Sequence, residues 1–423
     1  MYKELDKEAL FKEKQAMQIA YDQWKAKGLI LDMARGKPCS EQLDLSNSMN
    51  ELLADEEFIC ADGVDARNYG GIYGIPEARA LFGELLGVPA EQVMVNGASS
   101  LLLMYLCLSH SMLHGIGGGK PWSLEKNVKF LCPSPGYDRH FAMTENFGIE
   151  MIPVAMKQDG PDMDEIERLV VSDASIKGMW LVPKYQNPTG VVFSENVIRR
   201  LAALKPAATD FRLYYDNAYC IHDLYEEVPL VNILPLCEKA GNPDLVLEFA
   251  SFSKVTYGGS GLAAIASSPK NMAEIGSAFS FAMVSPDKVN QLRHVRFLQN
   301  SVNTKNHMKK QAEILRPKFE AVLSILEKNL SPSGIAQWTL PKGGYFISVD
   351  IFPNTAKRTY QLCKEAGLTL TQAGAPFPYG KDPADQNIRI APSYPNVNEL
   401  ENAATLFTIA ARLAALEILT ETL

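Results

Sequence analysis

Residues 245–261 read LVLEFASFSKVTYGGSG. The first six residues form an apolar run typical of a buried strand, and Lys254 follows between small hydroxyl residues and a glycine cluster. Lysine is mostly exposed in proteins, because burial opposes its charge. Taken alone, Lys254 is therefore best explained as a solvated lysine in a loop. A functional role for it needs support from the rest of the chain.

Composition limits the classes of function. The chain has 423 residues, 47% hydrophobic and 21% charged, which allows two or three domain-sized units with a large core. Its net charge is −8 and lysine and arginine form no block, so we expect no nucleic-acid partner. No uninterrupted apolar stretch is long enough to span a bilayer, and the charged N-terminus does not resemble a secretory signal, so we expect no membrane partner. The seven cysteines form no C-x-x-C pair, which predicts a reduced, cytoplasmic protein without a metal site.

The middle of the chain alternates between strand-like and helix-like segments. The apolar, strand-like runs lie at 93–96, 128–132, 149–156, 178–183, 211–215, 244–249 and 262–267. Between several of them lie helix-like segments such as 99–113 and 196–205, and this alternation predicts an α/β fold with a mostly parallel sheet that helices cover on both faces. We assign residues 66–300 to this large domain.

The two ends of the chain are predicted to form a second domain. A long helical stretch covers 307–330, where Pro317 is expected to kink or interrupt the helix. Strand-like segments follow at 343–352 and 387–392, and a helical segment closes the chain. We expect residues 1–65 and 301–423 to pack together as a smaller, discontinuous α+β domain.

Ligands of open α/β sheets bind beyond the carboxyl ends of the strands, so the residues that follow each run carry the functional information. After 93–96 come Ser99 and Ser100 at the start of an apolar helix, which predicts an anion site for a phosphate. A plain helix N-cap by either serine explains the same pattern.

Four later strand ends carry further candidates. Tyr137 follows the run at 128–132, and it either stacks on a flat ligand or covers the core. Asn187 lies in NPTG, which is also an ordinary turn signal. Asp216 ends a buried run and needs a partner, because an unpaired buried carboxylate is costly. Together with Lys254, the five strand ends supply a phosphate cradle, an aromatic ring, an amide, a carboxylate and an amine, which is the set that pyridoxal 5′-phosphate (PLP) requires.

At these residues the sequence resembles the fold-type I PLP enzymes, and within them the class I/II aminotransferases. The segments NYGGIYGIPEARALF (68–82), PSPGY, NPTG, YYDNAY, SFSK, PKGGYF and NIRIAP follow one another in the family's order. ARGKPCSEQLDLS (34–46), GYDRHF (136–141) and QDGPDMDEIE (158–167) are most similar to a bacterial aspartate aminotransferase subgroup related to the aminotransferase domain of MocR regulators. The resemblance implies a large domain with a seven-stranded, mostly parallel sheet and a homodimer with sites at the subunit interface.

The resemblance also implies roles for individual residues. Lys254 would join the cofactor covalently and then move the substrate's Cα proton. Asp216 would pair with the protonated pyridine nitrogen, Asn187 and Tyr219 would bind the phenolic oxygen, and Tyr137 would stack on the ring. The implied catalytic residues are thus Lys254, Asp216 and Tyr219.

The phosphate would be bound by hydroxyl groups. The implied contacts are Ser99, Ser100 and Ser251, with Tyr69 reaching in from the neighbouring subunit, and Ser253 as a weaker candidate that positions the loop. Most relatives carry a phosphate-binding arginine eight residues after the lysine, whereas this chain has Leu262. We therefore expect hydroxyl groups and backbone N–H groups to take over its task, with a basic residue from elsewhere as the alternative.

For the substrate, Arg389 in NIRIAP would grip the α-carboxylate, because its planar fork offers two parallel charge-assisted bonds. Gly36 and Asn187 would lie against the substrate. A dicarboxylic amino acid needs a second cation, for which Arg139 is the first candidate and Arg35 the second.

The predicted reaction is a ping-pong transfer of an α-amino group between an amino acid, aspartate or glutamate first, and a 2-oxo acid. The same residues would also serve another PLP reaction, such as a β-lyase, a racemase or an acyl-condensing synthase. A PLP-dependent transcriptional regulator would need a DNA-binding module before this sequence. A nicotinamide-dependent dehydrogenase is disfavoured, because no G-x-G-x-x-G opens the first helix.

Overall fold

The structure is a computed structural model, and it describes residues 1–53 and 57–421. Within these residues the strands are β1 (Leu31–Asp32), β2 (Val93–Val95), β3 (Lys129–Ser134), β4 (Glu150–Lys157), β5 (Gly160–Pro161), β6 (Ile176–Leu181), β7 (Arg212–Asp216), β8 (Val246–Ser251), β9 (Ala263–Ala266), β10 (Gln337–Trp338), β11 (Ile347–Asp350), β12 (Leu368–Thr369) and β13 (Asn387–Ile390). Every strand-like run of the sequence contains or overlaps one of them.

The helices of the same residues surround these strands. They are α1 (Lys7–Ala26), α2 (Ser40–Asp44), α3 (Pro76–Leu86), α4 (Ser100–His114), α5 (Asp138–Asn146), α6 (Met163–Ser172), α7 (Glu195–Ala202), α8 (Ile233–Lys239), α9 (Pro269–Ala282), α10 (Lys288–Leu298), α11 (Ser301–Leu330), α12 (Ala356–Glu365) and α13 (Val397–Glu421).

The largest sheet has eight strands in the order β2-β9-β8-β7-β6-β3-β4-β5. The five strands from β8 to β4 run parallel, while β9, β2 and β5 pair antiparallel at the two edges. The α/β fold with a mostly parallel sheet is therefore confirmed. The expected number of seven strands is wrong by one, because the two-residue β5 pairs with the end of β4 and is too short to leave an apolar run in the sequence.

Side-chain alternation along β7 places Asp216 on a particular face of this sheet. Leu213 and Tyr215 belong to one apolar cluster, and Tyr214 belongs to the cluster on the other face, together with Trp180 of β6. Because successive side chains of a strand point to opposite faces, Asp216 follows Tyr214 to the face of Trp180.

The two ends of the chain share a third apolar cluster. It contains Tyr21 of α1, Phe319 of α11 and Phe407 of α13, and it packs against an antiparallel sheet of order β10-β11-β13. Strands β1 and β12, from opposite ends of the sequence, pair in parallel. The domain boundaries at residues 65 and 300 stay a prediction.

Helix α11 is not interrupted at Pro317, contrary to one of the two outcomes expected from the sequence. Pro317 removes one backbone donor from the helix. On either side of it, Leu315, Phe319 and Val322 are buried in the third cluster. Burial of these apolar side chains stabilises the helix by more than the missing hydrogen bond costs.

Helix α13 is the one helix of residues 1–53 and 57–421 that is long and apolar enough to cross a membrane. Its most apolar window is 72% buried inside the molecule, and its side chains pack against α1, α11 and α12. Its apolar character is therefore that of a core helix.

Candidate active site

A cavity of about 770 Å³ lies where the carboxyl ends of the parallel strands meet the residues of β12 and β13. Nearly all of the residues predicted for the site line it. They are Arg35, Gly36, Ser99, Ser100, Tyr137, Arg139, Asn187, Asp216, Tyr219, Ser251, Ser253, Lys254 and Arg389. Tyr69 is the exception: it is 81% exposed, and its contact with the phosphate of a neighbouring subunit stays a prediction.

Lys254 stands in the turn that follows β8 and faces this cavity. Its Nζ lies 5.2 Å from the ring centre of Tyr219 and 5.8 Å from that of Tyr345. Burial lowers the pKa of Lys254, and the negative charge of Asp216 opposes this effect. A lowered pKa increases the fraction of neutral amine, which is the form that attacks a carbonyl carbon and accepts a proton.

Asp216, the last residue of β7, is 3% exposed and has two differently placed oxygens. Oδ2 lies 3.1 Å from Nε2 of His140, whereas Oδ1 has no hydrogen-bond partner among the described residues. A buried acceptor without a partner is costly unless a donor completes it. The protonated pyridine nitrogen of PLP is such a donor, so this carboxylate fits the cofactor that the strand ends predict.

His140 holds Asp216 in place, and sequence reasoning did not assign it a role. Its ring is 1% exposed and stacks on Trp180, with 4.5 Å between ring centres and 11° between ring planes. Thr144 donates to the backbone oxygen of His140 and accepts from the indole N–H of Trp180, each at 2.7 Å. The signal was present in GYDRHF, since His140 and the predicted Tyr137 lie three residues apart at the start of one helix.

Two tyrosines and an amide surround the space between Lys254 and Asp216. Tyr137 stands at the N-terminus of α5, with its ring 4.9 Å from that of His140. Burial raises the pKa of Tyr137 and of Tyr219, so both hydroxyl groups stay protonated at neutral pH and can donate hydrogen bonds. Asn187 is 2% exposed, and its Oδ1 accepts from Arg389 at 3.3 Å.

The start of α4 offers groups for an anion. Ser99 is the N-cap residue, but its hydroxyl makes no capping hydrogen bond, which disfavours the plain-cap explanation of this segment. Gly97 has a φ of +66°, a conformation that glycine adopts without strain and that turns the chain into the helix. Backbone N–H groups at a helix N-terminus and free hydroxyls favour a phosphate.

Two further positions refine the phosphate prediction. The hydroxyl of Ser253 donates to the backbone oxygen of Ala98 at 2.9 Å, so it ties the lysine loop to the start of α4. Leu262 is 2% exposed within the apolar core, so position 262 supplies no cation.

Arg389 of β13 is 7% exposed and is held on several sides. Its Nη1 donates to Asp138 Oδ1 at 2.6 Å and to Asn187 Oδ1 at 3.3 Å, and its Nη2 donates to Thr371 Oγ1 at 3.2 Å. Its Cζ lies 4.8 Å from the ring centre of Phe346. Of these neighbours, sequence reasoning assigned a role only to Asn187. Asp138 and Phe346 lie in the quoted segments GYDRHF and PKGGYF, but neither residue was given a role there, and Thr371 lies in none of the quoted segments.

Gly36 lies against the same aromatic ring. A Cβ at this position would stand 2.5 Å from Cζ of Phe346, which is closer than any real contact, so only glycine fits without a shift of the ring. The neighbouring Arg35 and Lys37 are exposed and line the cavity, as does the exposed Arg139 of α5. The cations that could bind the second carboxylate of a substrate are therefore exposed to solvent, and they lie on two different segments.

Comparison with known proteins agrees with this geometry. Residues 5–422 match the family model described as aspartate amino-transferase. A relative from Mycolicibacterium smegmatis is 48% identical over 422 residues, which cover 99% of each chain. The aspartate aminotransferase of Corynebacterium glutamicum is 47% identical over 399 residues, or 94% of this chain and 92% of that protein.

The fold agrees as well. The crystal structure of an aspartate transaminase from Corynebacterium glutamicum superimposes with a TM-score of 0.96 at 45% identity, covering 98% of both chains. The narrower likeness to MocR-related proteins stays a prediction. The chain is a fold-type I aminotransferase and belongs to the aspartate aminotransferase family.

Proposed function

We propose that this aminotransferase holds PLP on Lys254 and exchanges the amino groups of aspartate and glutamate with 2-oxo acids. The observation that carries the proposal is the buried Asp216, which lines the same cavity as Lys254 and Arg389 and has one oxygen without a partner among the described residues. When bound, PLP supplies an aldehyde for amino groups and a ring that accepts the electron pair released when the substrate's Cα–H bond breaks.

The residues of this chain would divide the remaining tasks. Arg389 would bind the α-carboxylate and thereby fix the direction of the Cα–H bond, since a fork of two N–H groups sets orientation as well as affinity. Lys254 Nζ would take the proton from Cα, aided by the lowered pKa of its amine. Asp216, oriented by His140, would keep a positive charge stable at the ring nitrogen site.

A ping-pong mechanism is the proposed kinetic order, because both acids would use the same cavity and the same α-carboxylate anchor, Arg389. The first acid leaves as its 2-oxo form before the second acid can bind at Arg389, and the amino group stays on the enzyme between the two half-reactions. The dicarboxylate preference is supported by Arg35, Lys37 and Arg139, which add positive charge to the cavity lining.

A homodimer is part of the proposal. Large apolar side chains stand in solvent on α4, on α9 and beside them. They are Tyr69, Leu102, Tyr105, Leu113, Phe281 and Val284, with Phe281 91% exposed. Leu113 and Phe281 line one surface cavity, and large apolar side chains left in solvent are typical of a protein–protein interface, through which Tyr69 would then reach the partner's phosphate. Light scattering of wild type and Phe281→Asp measures this directly, because a dimer would be weakened by the buried carboxylate.

The proposed location is the cytoplasm, supported by seven cysteines without a disulfide. Fractionation of the source cells with an antibody against the chain would test this, and recovery from a secreted fraction would contradict it.

The decisive experiment is a single half-reaction. Protein loaded with PLP is mixed with one equivalent of L-aspartate, and the absorption of the bound cofactor and the oxo acid released are measured together. We expect loss of the aldehyde-form absorption, one oxaloacetate per site, and recovery of the absorption on addition of 2-oxoglutarate. Pyruvate and ammonia without an acceptor would show β-lyase chemistry, and an absorption unchanged by aspartate and glutamate would contradict the substrate class.

A further inference from the structure

Arg389 already carries a carboxylate from its own chain. Asp138 Oδ1 lies 2.6 Å from Arg389 Nη1, and both side chains line the cavity, with exposures of 30% and 8%. Asp138 is the first residue of α5 and follows Tyr137 directly, so helix α5 places it beside the site rather than on the outer surface.

The remaining donors of Arg389 show how much of the guanidinium is in use. Nη1 has two N–H groups, and these donate to Asp138 and Asn187. One N–H of Nη2 donates to Thr371, while Nε is buried and has no partner among the described residues. The bond to Asp138 is the shortest of the set, and it is the one that joins two opposite charges.

A substrate carboxylate at this guanidinium would meet a like charge. Two carboxylates that share one guanidinium lie only about 5 Å apart, where like charges repel appreciably in a partly buried site. The substrate therefore has to displace Asp138 from Nη1 or bind beside it at an electrostatic cost.

We propose that Asp138 sets the affinity of the α-carboxylate subsite by competing with the substrate for Arg389. The proposal rests on the proposed role of Arg389 as the α-carboxylate anchor. When no substrate is bound, Asp138 balances the positive charge of the Arg389 guanidinium and keeps it oriented. Because it competes for the same N–H groups, it weakens the binding of every carboxylate that enters the cavity.

Asp138→Asn tests the competition, because it keeps the shape and the Oδ1 acceptor while it removes the charge. The probe is butyrate, a monocarboxylate without an amino group, titrated against PLP-loaded protein and followed by the rise of Tm and by broadening of its methyl NMR signal. We expect the Kd of butyrate to fall about tenfold in D138N and in D138A, and the KM for aspartate to fall with it. Glu145→Gln removes an exposed carboxylate from the same helix and should leave both values unchanged.

An unchanged or higher Kd in D138N would overturn the proposal and would leave Asp138 a residue that only orients Arg389. Arg389→Gln separates this failure from that of the proposed anchor. If R389Q loses butyrate affinity while D138N does not gain it, the competition alone is refuted. If R389Q binds butyrate as wild type does, Arg389 is not the anchor, and the role of Asp138 is refuted with it.

Discussion

The floor and the mouth of the active-site cavity are built in different ways. The floor, formed by Asp216, Tyr219 and Lys254, comes from the ends of β7 and β8 and from the turns that follow them. The mouth, formed by Arg35, Lys37 and Arg139, consists of exposed side chains on two segments.

The difference shows where each kind of chemistry can be placed. At the floor, burial weakens screening, so burial lowers the pKa of Lys254 and the nearby negative charge of Asp216 opposes that shift. At the mouth, solvent and salt screen each cation, so any one of them contributes little. We therefore expect floor variants to change turnover and mouth variants to change substrate preference.

The largest effect is expected at Lys254. Lys254→Ala removes both the amine that holds the cofactor and the base that takes the Cα proton, so kcat should fall by about 10⁴-fold or more. Transamination of aspartate and 2-oxoglutarate measures it, with the exposed Lys239→Ala as the matched control. Near-normal turnover in K254A would show that Lys254 is neither the amine that holds the cofactor nor the base.

Asp216→Asn should lower kcat by about 10³-fold, because the amide keeps the shape but cannot stabilise a proton on the ring nitrogen. PLP affinity, measured by fluorescence titration, should fall far less than kcat. A loss of affinity with kcat preserved would mean that Asp216 only helps to hold the cofactor.

A smaller effect concerns stability in acid. His222 is buried close to Lys254. Its two ring nitrogens have no hydrogen-bond partner in the described part of the chain, and burial lowers the pKa of its imidazole to about 3. The unfolded chain binds this proton near pH 6.5 and the folded chain does not, so stability is lost as pH falls below 6.5. Between pH 7 and pH 5 the loss from this residue should reach about 2 kcal/mol.

Urea unfolding at the two pH values measures this loss. His222→Phe keeps a ring between Tyr219 and Tyr345 and should remove most of this pH dependence, whereas the exposed His114→Ala should keep it. An equal acid sensitivity in H222F and wild type would show that His222 gains a partner in solution.

The smallest effects belong to the mouth. Arg139→Ala should raise the KM for aspartate by about threefold and leave the KM for alanine nearly unchanged, because only aspartate has a distal carboxylate. Arg35→Ala in parallel shows whether the cation comes from α5 or from the N-terminal segment. If neither variant separates aspartate from alanine, the dicarboxylate preference does not come from these two arginines.

The predictions from sequence were strongest where a residue follows a buried strand. Asp216 and Lys254 were found because a charge at the end of an apolar run is unusual by itself. His140 was missed because one histidine within a helix has several ordinary explanations, and only its 3.1 Å contact with Asp216 gives it a role. The sequence also showed that the phosphate-binding arginine, which most relatives carry eight residues after the lysine, is replaced by Leu262. In the structure Leu262 is buried in the core.

The sequence by itself determined the parallel α/β sheet, the order of the strand-end residues and which residues are proposed as the amine, the acid and the substrate-binding arginine. These features follow from local patterns. An apolar run of strand length, and the residue that follows it, can be recognised in the sequence without knowledge of which segments contact one another in the fold. Only the tertiary structure decided that Asp138 occupies Arg389, that Thr371 supports it and that Phe346 requires glycine at position 36. These contacts join residues from different parts of the chain, and their partners are set by tertiary packing rather than by any local preference.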